Sequence, residues 1–186
     1  ERVELLTKYV GERENRRHRP GRAFERIDYR FDVLADYGAF RDLQRHRMLT
    51  IEWQRLGTRH GYDVPPELTE AGLADTFVTA MERSADLHDA LALDFPEQAS
   101  YAVALAFRVR FAMQMNAREA MHLLELRTAP QGHATYRAVC QDMHRAIEEQ
   151  AGHRAVAAAM RHVDHGTYAL ERLEAERAAE ARRISS

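Results

Sequence analysis

Residues Glu25 to Leu34 read ERIDYRFDVL, and this stretch decides the fold class of the chain. Apolar and charged side chains alternate along it, and a period of two is typical of a β-strand with one buried face. The apolar positions are Ile27, Tyr29, Phe31 and Val33, and the charged positions are Asp28, Arg30 and Asp32. No second segment is as convincing a strand, so we expect an α+β protein that is mostly helical.

Helical patterns cover most of the remaining sequence. Asp36 and Gly38 open a predicted helix that carries an Arg-His-Arg triplet and ends near Gly57. Further helices are predicted over residues 69–91, 96–127, 132–149 and 153–162. At the two ends, we predict an N-terminal helix with an arginine-rich loop over residues 1–22 and a peripheral C-terminal helix over residues 167–186.

The length and composition indicate one domain spanning residues 1–186. A net charge of -2 gives no overall attraction to nucleic acid or to a membrane, so any anion site must be local. Cys140 is the one cysteine and cannot form an intramolecular disulfide, and no apolar run reaches the length of a membrane span. We therefore expect a cytoplasmic protein. The start at Glu1, without an initiator methionine, suggests a piece of a longer protein.

The triplet Arg45-His46-Arg47 is the first candidate site. Guanidinium groups stay charged at physiological pH and match phosphate with paired hydrogen bonds, so two of them beside an imidazole suit a phosphate-bearing ligand. The alternative is a solvated helix face with salt-bridge partners.

A second polar cluster lies between Met115 and Arg127. At about 100° per residue, Arg118 and His122 fall on nearly one face of a helix, and Asn116 and Arg127 fall on another. Such a helix could contact two ligands or two subunits. The alternative is a surface helix in which Glu119 and Glu125 pair with His122 and Arg118.

Together these motifs resemble the flavin-dependent thymidylate synthases. The resemblance rests on Arg45-His46-Arg47, on Asn116-Ala117-Arg118, on Leu126-Arg127 and on Phe24-Glu25, and it covers most of residues 19–145. It implies a mixed fold with a small antiparallel sheet in a homo-oligomer, with FAD bound between subunits. It also implies methylation of dUMP with methylenetetrahydrofolate and NADPH, without a cysteine nucleophile.

The resemblance also implies residue roles. Six residues would bind the flavin: Arg45, His46, Arg47, Asn116, Arg118 and His122. His122 stands where the family usually has an asparagine. Arg127 would contact the nucleotide, and Thr50 can replace the first serine of the substrate motif. No residue is assigned a catalytic role, and no metal is expected.

The rest of the substrate motif departs from the family pattern. Glu52-Trp53 replaces Asn-Glu, Arg55 replaces the second serine, and Gly57-Thr58 replaces Arg-Tyr. Either this chain is one repeat of a two-domain homologue whose partner domain supplies the missing groups, or it is a non-catalytic flavin-binding or structural repeat. Replacement of the lost groups by Arg55, Arg59 and His60, for an altered phosphate-bearing substrate, is a further alternative.

Three other features are interpreted as structural. Cys140 belongs to an apolar stripe of its helix, where burial would make the thiol inert. His162 and His165 could share a helix face as metal ligands, but a helix that ends at His165-Gly166 is the preferred interpretation. The arginine-rich segment 13–22 lacks interleaved aromatic residues, so we interpret it as a solvated loop or a rim for a phosphate ligand rather than an RNA site.

Overall fold

A three-stranded sheet organises the protein, with strand order β1-β3-β2. The computed structural model describes residues 2–167, 177 and 180. The strands are β1 (Asp28–Asp36), β2 (Thr50–Trp53) and β3 (Arg108–Asn116). The α-helices are α1 (Arg2–Val10), α2 (Tyr37–Leu43), α3 (Pro66–Glu70), α4 (Ala74–Asp94), α5 (Ala117–Arg127), α6 (Ala134–Glu149) and α7 (Arg154–Ala159). Two short 3-10 helices span Arg22–Arg26 and Gln98–Ala102.

Backbone hydrogen bonds at both ends of β1 and β3 show that the two strands are antiparallel. The amide of Ala117 donates to the carbonyl of Ile27 at 2.7 Å, and the amide of Tyr37 donates to the carbonyl of Phe107 at 2.8 Å. The pairing therefore runs in opposite directions along the chain. The predicted α+β class, mostly helical with a small antiparallel sheet, is confirmed.

The strand predicted over Glu25 to Leu34 is present as β1, which begins three residues later. The helix predicted over residues 96–127 is wrong, because its middle is β3. Every second side chain of β3 is buried, and these are Val109, Phe111, Met113 and Met115. The other positions of the alternation, from the start of the strand, are Arg108, Arg110, Ala112 and Gln114. Arginine, alanine, methionine and glutamine all favour helices, and this propensity hid the alternation.

The helix that Asp36 opens also ends earlier than predicted. The side chain of Asp36 accepts a hydrogen bond from the amide of Ala39 at 2.8 Å, which caps α2 as expected. However, α2 ends at Leu43, so the Arg-His-Arg triplet lies in the loop that follows it. The next regular element is β2, whose residues Thr50, Ile51 and Trp53 are of the β-branched and aromatic types that favour strands.

The chain forms two compact units. The first comprises Glu1–Phe31, Arg45–Ile51 and Met113–Ser186, and within it α5 packs against α6, α6 against α7, and α1 against α7. The second comprises Asp32–Gln44 and Glu52–Ala112. In the second unit, α4 contributes Met81 to an apolar cluster with Val103 and Phe107. The single domain proposed for residues 1–186 stays a prediction.

The remaining helix predictions are met to different degrees. Helix α6 matches residues 132–149 closely, and its Cys140, Met143 and Ile147 form a buried stripe. Burial raises the pKa of the Cys140 thiol to about 12, so this thiol stays protonated, as predicted. Helix α7 is shorter than predicted, and the predicted C-terminal helix lies almost entirely outside the described residues. None of the described helices is long and apolar enough to cross a membrane.

Candidate functional site

The Arg-His-Arg triplet combines one buried and two exposed side chains. His46 is only 9% exposed, whereas Arg45 and Arg47 on either side of it are exposed. All three follow the end of α2 in an irregular loop. The loop therefore turns the His46 side chain inward and leaves the side chains of Arg45 and Arg47 at the surface.

Helix α5 supplies the partner of His46. Asn116 is the N-cap of α5, and its side-chain oxygen accepts the amide hydrogen of Glu119 at 2.9 Å. The Glu119 side chain extends from this first turn, with Oε1 3.0 Å from Nδ1 of His46. Its other oxygen, Oε2, lies 3.4 Å from Nδ1 of His122. The rings of His46 and His122 meet edge to face, with centroids 5.6 Å apart.

Arg127, from the last turn of α5, contacts the other side of the His46 ring. Its Nε donates a hydrogen bond to Nε2 of His46 at 3.0 Å, and its guanidinium carbon lies 5.4 Å from the centroid of the Tyr136 ring. A guanidinium nitrogen can only donate, so Nε2 of His46 must accept. The hydrogen of the neutral His46 ring is then on Nδ1, which donates it to Glu119.

Glu119 is ionised at physiological pH. Burial raises the pKa of this carboxyl, but the hydrogen bonds from His122 and His46 outweigh that cost and lower the pKa to about 2. The side chains of His46 and Glu119 are only 5% and 10% exposed, so little water competes for their contact. At physiological pH the cluster therefore holds a negative charge on Glu119, in contact with two imidazole rings.

Arg118 has other partners, although it lies four residues before His122. Its Nε donates to the carbonyl of Pro20 at 3.1 Å, and one terminal nitrogen contacts Glu25 at 2.8 Å. The surface-helix alternative is right for the pair of Glu119 and His122 and wrong for Arg118 and Glu125. Two predicted residues, His46 and His122, therefore meet at Glu119, and a third, Arg127, contacts His46. Arg118 is held elsewhere in the same unit.

Glu125 instead forms a buried ion pair with Arg13. Two terminal nitrogens of Arg13 contact the two carboxylate oxygens at 2.7 and 2.5 Å, and the residues are 6% and 1% exposed. Arg13 also donates to the carbonyls of His18 and Ala159. The solvated loop predicted over residues 13–22 is therefore wrong at Arg13, which links this segment to α5 and α7.

The sequence belongs to a known protein family. Residues 7–152 match the family described as thymidylate synthase complementing protein. The chain is a member of this flavin-dependent thymidylate synthase family.

Three relatives share the similarity. A UPF0159 protein of Chlamydia pneumoniae is 43% identical over 145 residues, which are 78% of this chain and 27% of the relative. A UPF0159 protein of Chlamydia muridarum is 40% identical over 172 residues, 92% of this chain and 32% of the relative. A UPF0159 protein of Thermoplasma acidophilum is 37% identical over 166 residues, 88% of this chain and 33% of the relative. The thymidylate synthase-like chain thus spans about a third or less of each of these relatives.

The side chains of His46, Glu119 and His122 are close enough together to form a metal site. Each offers one potential ligand atom, and these atoms all lie within 4.8 Å of one another. The hydrogen bond from Arg127 argues against that use. It leaves Nδ1 of His46 protonated, so the lone pair that would bind the ion is absent. Arg45 and Arg47 are the neighbours of His46 in the sequence, and their positive charges disfavour the binding of a metal cation there. The expected absence of a metal stays a prediction.

The histidines near the C-terminal end of the described chain are arranged differently from the prediction. Helix α7 ends at Ala159, so no helix ends at His165-Gly166. Nε2 of His165 lies 3.0 Å from Nδ1 of His144, whose Nε2 contacts the carbonyl of Ala157 at 3.1 Å. Burial first, and then the charges of His144 and Arg145, lower the pKa of His165. These contacts link the segment to α6.

The basic groups that could replace the lost substrate motif lie in the second unit. Arg55 forms an exposed ion pair with Glu97 at 3.1 Å, and His60 contacts Oε1 of Gln54 at 2.9 Å. A surface cavity of about 320 Å³ is lined in part by Arg55, Arg59 and His88. Within the same unit, Glu52 and Trp53 are exposed on β2. Thr50, the first residue of β2, belongs to the first unit and is also exposed.

Proposed function

We propose that this chain is a flavin-binding thymidylate synthase module that holds the phosphates of FAD with the loop of Arg45, His46 and Arg47. One observation carries the proposal: His46 is buried and held from both sides, by Glu119 and by Arg127, so that the loop displays its two arginines in a fixed place. A loop held in this way needs little ordering when a ligand binds.

The donor set of this loop fits the phosphate-bearing part of FAD. Arg47 is exposed and makes no ion pair with any residue in the described part of the chain. Its guanidinium can form paired hydrogen bonds with a pyrophosphate oxygen pair, which a single ammonium group cannot do. His122 is 53% exposed in its side chain and presents an imidazole on the same cluster. Contacts of FAD with Asn116 and Arg118 remain part of the proposal, although Arg118 would first have to leave Glu25.

The chemistry follows from the family. When bound, FAD would carry the reducing equivalents from NADPH that methylation of dUMP by methylenetetrahydrofolate requires. The chain's own part is to bind and orient. Arg127 would hold the nucleotide phosphate, its guanidinium being fixed by His46 and by the Tyr136 ring. Thr50 would donate a hydroxyl hydrogen bond to the nucleotide. We also propose a cytoplasmic protein that works as an oligomer or beside a second similar domain.

Flavin binding is tested first, by titrating FAD into the purified protein and following flavin absorbance and fluorescence. Arg47→Ala should weaken FAD binding by about tenfold or more, because one charge-assisted contact is lost. Arg83→Ala is the matched control, since Arg83 is an exposed arginine of α4 in the other unit. Wild-type protein that takes up no FAD would refute the cofactor assignment.

The reaction is tested by release of hydrogen from C5 of dUMP in the presence of methylenetetrahydrofolate, FAD and NADPH. We expect release by the wild type and its loss in Arg45→Ala. A specific observation favours a second candidate, a non-catalytic flavin-binding or structural repeat: Glu52, Trp53 and Arg55 replace the substrate-binding residues, and the chain spans a third or less of its relatives. Bound flavin without hydrogen release would support that candidate.

A further inference from the structure

We propose that Glu119 is a positioning residue, which sets the tautomer of His46 and through it the orientation of the Arg127 guanidinium. The inference rests on the proposed function only in its last step, where Arg127 meets a nucleotide phosphate. Its earlier steps concern three side chains of one unit and need no ligand.

The first step is the anchoring of Glu119. Both carboxylate oxygens have a partner, since Oε1 contacts His46 at 3.0 Å and Oε2 contacts His122 at 3.4 Å. The capped first turn of α5 fixes the backbone at Glu119, because the Asn116 side chain accepts its amide hydrogen. A carboxylate held at both oxygens and at its own backbone has little freedom to rotate.

The second step is the choice of tautomer. A neutral imidazole in water exchanges its hydrogen between two nitrogens, but His46 is 9% exposed and each ring nitrogen faces a group with a fixed role. The carboxylate of Glu119 can only accept, and Nε of Arg127 can only donate. The ring is therefore held with hydrogen on Nδ1 and a lone pair on Nε2.

The third step is the orientation of Arg127. Its Nε–H points at Nε2 of His46, and the Tyr136 ring lies 5.4 Å from its guanidinium carbon. The directed hydrogen bond and the aromatic neighbour both constrain the plane of the guanidinium. A paired contact with phosphate depends on that plane, and a small misplacement of such a group lowers its contribution steeply. If His46 took the other tautomer, its Nε2–H would face the Arg127 donor and displace it.

The experiment compares Glu119→Ala, Glu119→Asp and Glu119→Gln with Glu149→Gln, a control at an exposed glutamate of α6. Glu119→Gln keeps an acceptor within reach of His46, and Glu119→Asp keeps the charge on a side chain one methylene shorter. Circular dichroism checks that each variant folds. Without ligand, nitrogen NMR shifts of the His46 ring report the tautomer, and hydrogen exchange of the Arg127 Nε–H reports its hydrogen bond.

We expect the Nδ1–H tautomer and a protected Arg127 Nε–H in wild type, Glu119→Gln and Glu149→Gln. Glu119→Ala and Glu119→Asp should mix the tautomers and expose the Arg127 hydrogen. Calorimetry should then show dUMP binding weakened about tenfold in Glu119→Ala and Glu119→Asp but within about threefold in Glu119→Gln. Should Ala fail to fold, Asp against Gln gives the same comparison.

Two results would overturn the inference: an unchanged His46 tautomer and Arg127 hydrogen bond in both Glu119→Ala and Glu119→Asp, or stoichiometric Zn²⁺ binding by the wild type that Glu119→Ala abolishes. Failure of the proposed function looks different. In that case the wild type binds neither FAD nor dUMP, while the ligand-free NMR result follows Glu119 as expected.

Discussion

Strand β1 runs directly into α2, and β3 runs directly into α5. The two junctions differ in the third residue of the helix. At each junction the last strand residue caps the helix, Asp36 for α2 and Asn116 for α5. Each cap accepts the amide hydrogen of the third helical residue, at 2.8 and 2.9 Å. That third residue is Ala39 in α2, which is buried and apolar, and Glu119 in α5.

The difference separates a junction with an apolar helix face from one that carries charged side chains. Helix α2 buries only small or apolar residues, Ala39, Phe40 and Leu43, and ends after seven residues. Helix α5 is 11 residues long, directs Glu119 and Arg127 towards His46, and buries Glu125 against Arg13. The cap starts a helix in both places, and in α5 the charged side chains of Glu119, Glu125 and Arg127 connect the helix to segments far away in the sequence.

The largest effect should come from breaking the buried anchor of α5. Arg13→Ala leaves the Glu125 carboxylate buried without its partner, and we expect the free energy of unfolding to fall by about 3–5 kcal/mol. Urea denaturation followed by circular dichroism measures it.

The control is the double variant Arg13→Met with Glu125→Leu, which removes both charges and keeps the volume. It should recover most of the loss, because no buried charge remains uncompensated. A double variant as unstable as Arg13→Ala would show that the hydrogen bonds from Arg13 to the carbonyls of His18 and Ala159 matter more than the ion pair.

The next effect concerns the charge that α2 lacks at the equivalent position. The pKa of Glu119 is lowered from 4.5 to about 2, so its ionised form stabilises the folded protein above pH 4.5. This contribution, at most about 3 kcal/mol, is lost as the pH falls from 4.5 towards 2. Urea denaturation at several pH values should therefore show wild type more stable than Glu119→Gln near pH 6, and the difference should shrink through that window. A difference that does not change with pH would contradict the ionised pair.

Whether the sequence predicts each junction depends on how far apart the interacting residues lie along the chain. The local pattern alone predicts the helix start at Asp36, and the alternation of apolar and charged residues predicts β1. Strand β3 also alternates, at Val109, Phe111 and Met113, but its helix-forming residues run on into α5. Only pairing with β1, through bonds such as that from Ala117 to Ile27, decides between the two structures.

The site was predictable in its residues but not in its contacts. The triplet and the cluster around Arg127 were found because their residue types and order match a family. Glu119 was missed as the central group, since its contact with His46 spans 73 positions in the sequence. The pair of Arg13 and Glu125 spans 112 positions, and composition alone makes Arg13 one of many arginines in a loop. For Glu119 the sequence does contain a local signal: this glutamate lies three residues after the asparagine cap and three residues before a histidine.

A smaller effect should come from the caps themselves. Asp36→Ala and Asn116→Ala each remove one hydrogen bond to a helix N-terminus, so we expect each to lower the free energy of unfolding by about 1 kcal/mol. Their effects on the site should differ. Asn116→Ala loosens the turn that carries Glu119 and should expose the Arg127 Nε–H to exchange, whereas Asp36→Ala should leave it protected. Equal exchange in the two variants would mean that the cap does not hold Glu119 in place.

The smallest effect should follow from replacing the outer partner of Glu119. His122 is 53% exposed in its side chain, and its contact with Glu119 at 3.4 Å is longer than that of His46 at 3.0 Å. His122→Asn, which introduces the residue that the family usually has here, should change the free energy of unfolding by less than about 0.5 kcal/mol, because an exposed pair contributes little. His46→Asn removes the buried partner and should cost several times more, and it should also release Arg127. Urea denaturation of the two variants measures both effects. Equal destabilisation would mean that His122 and His46 hold Glu119 equally, whatever their burial.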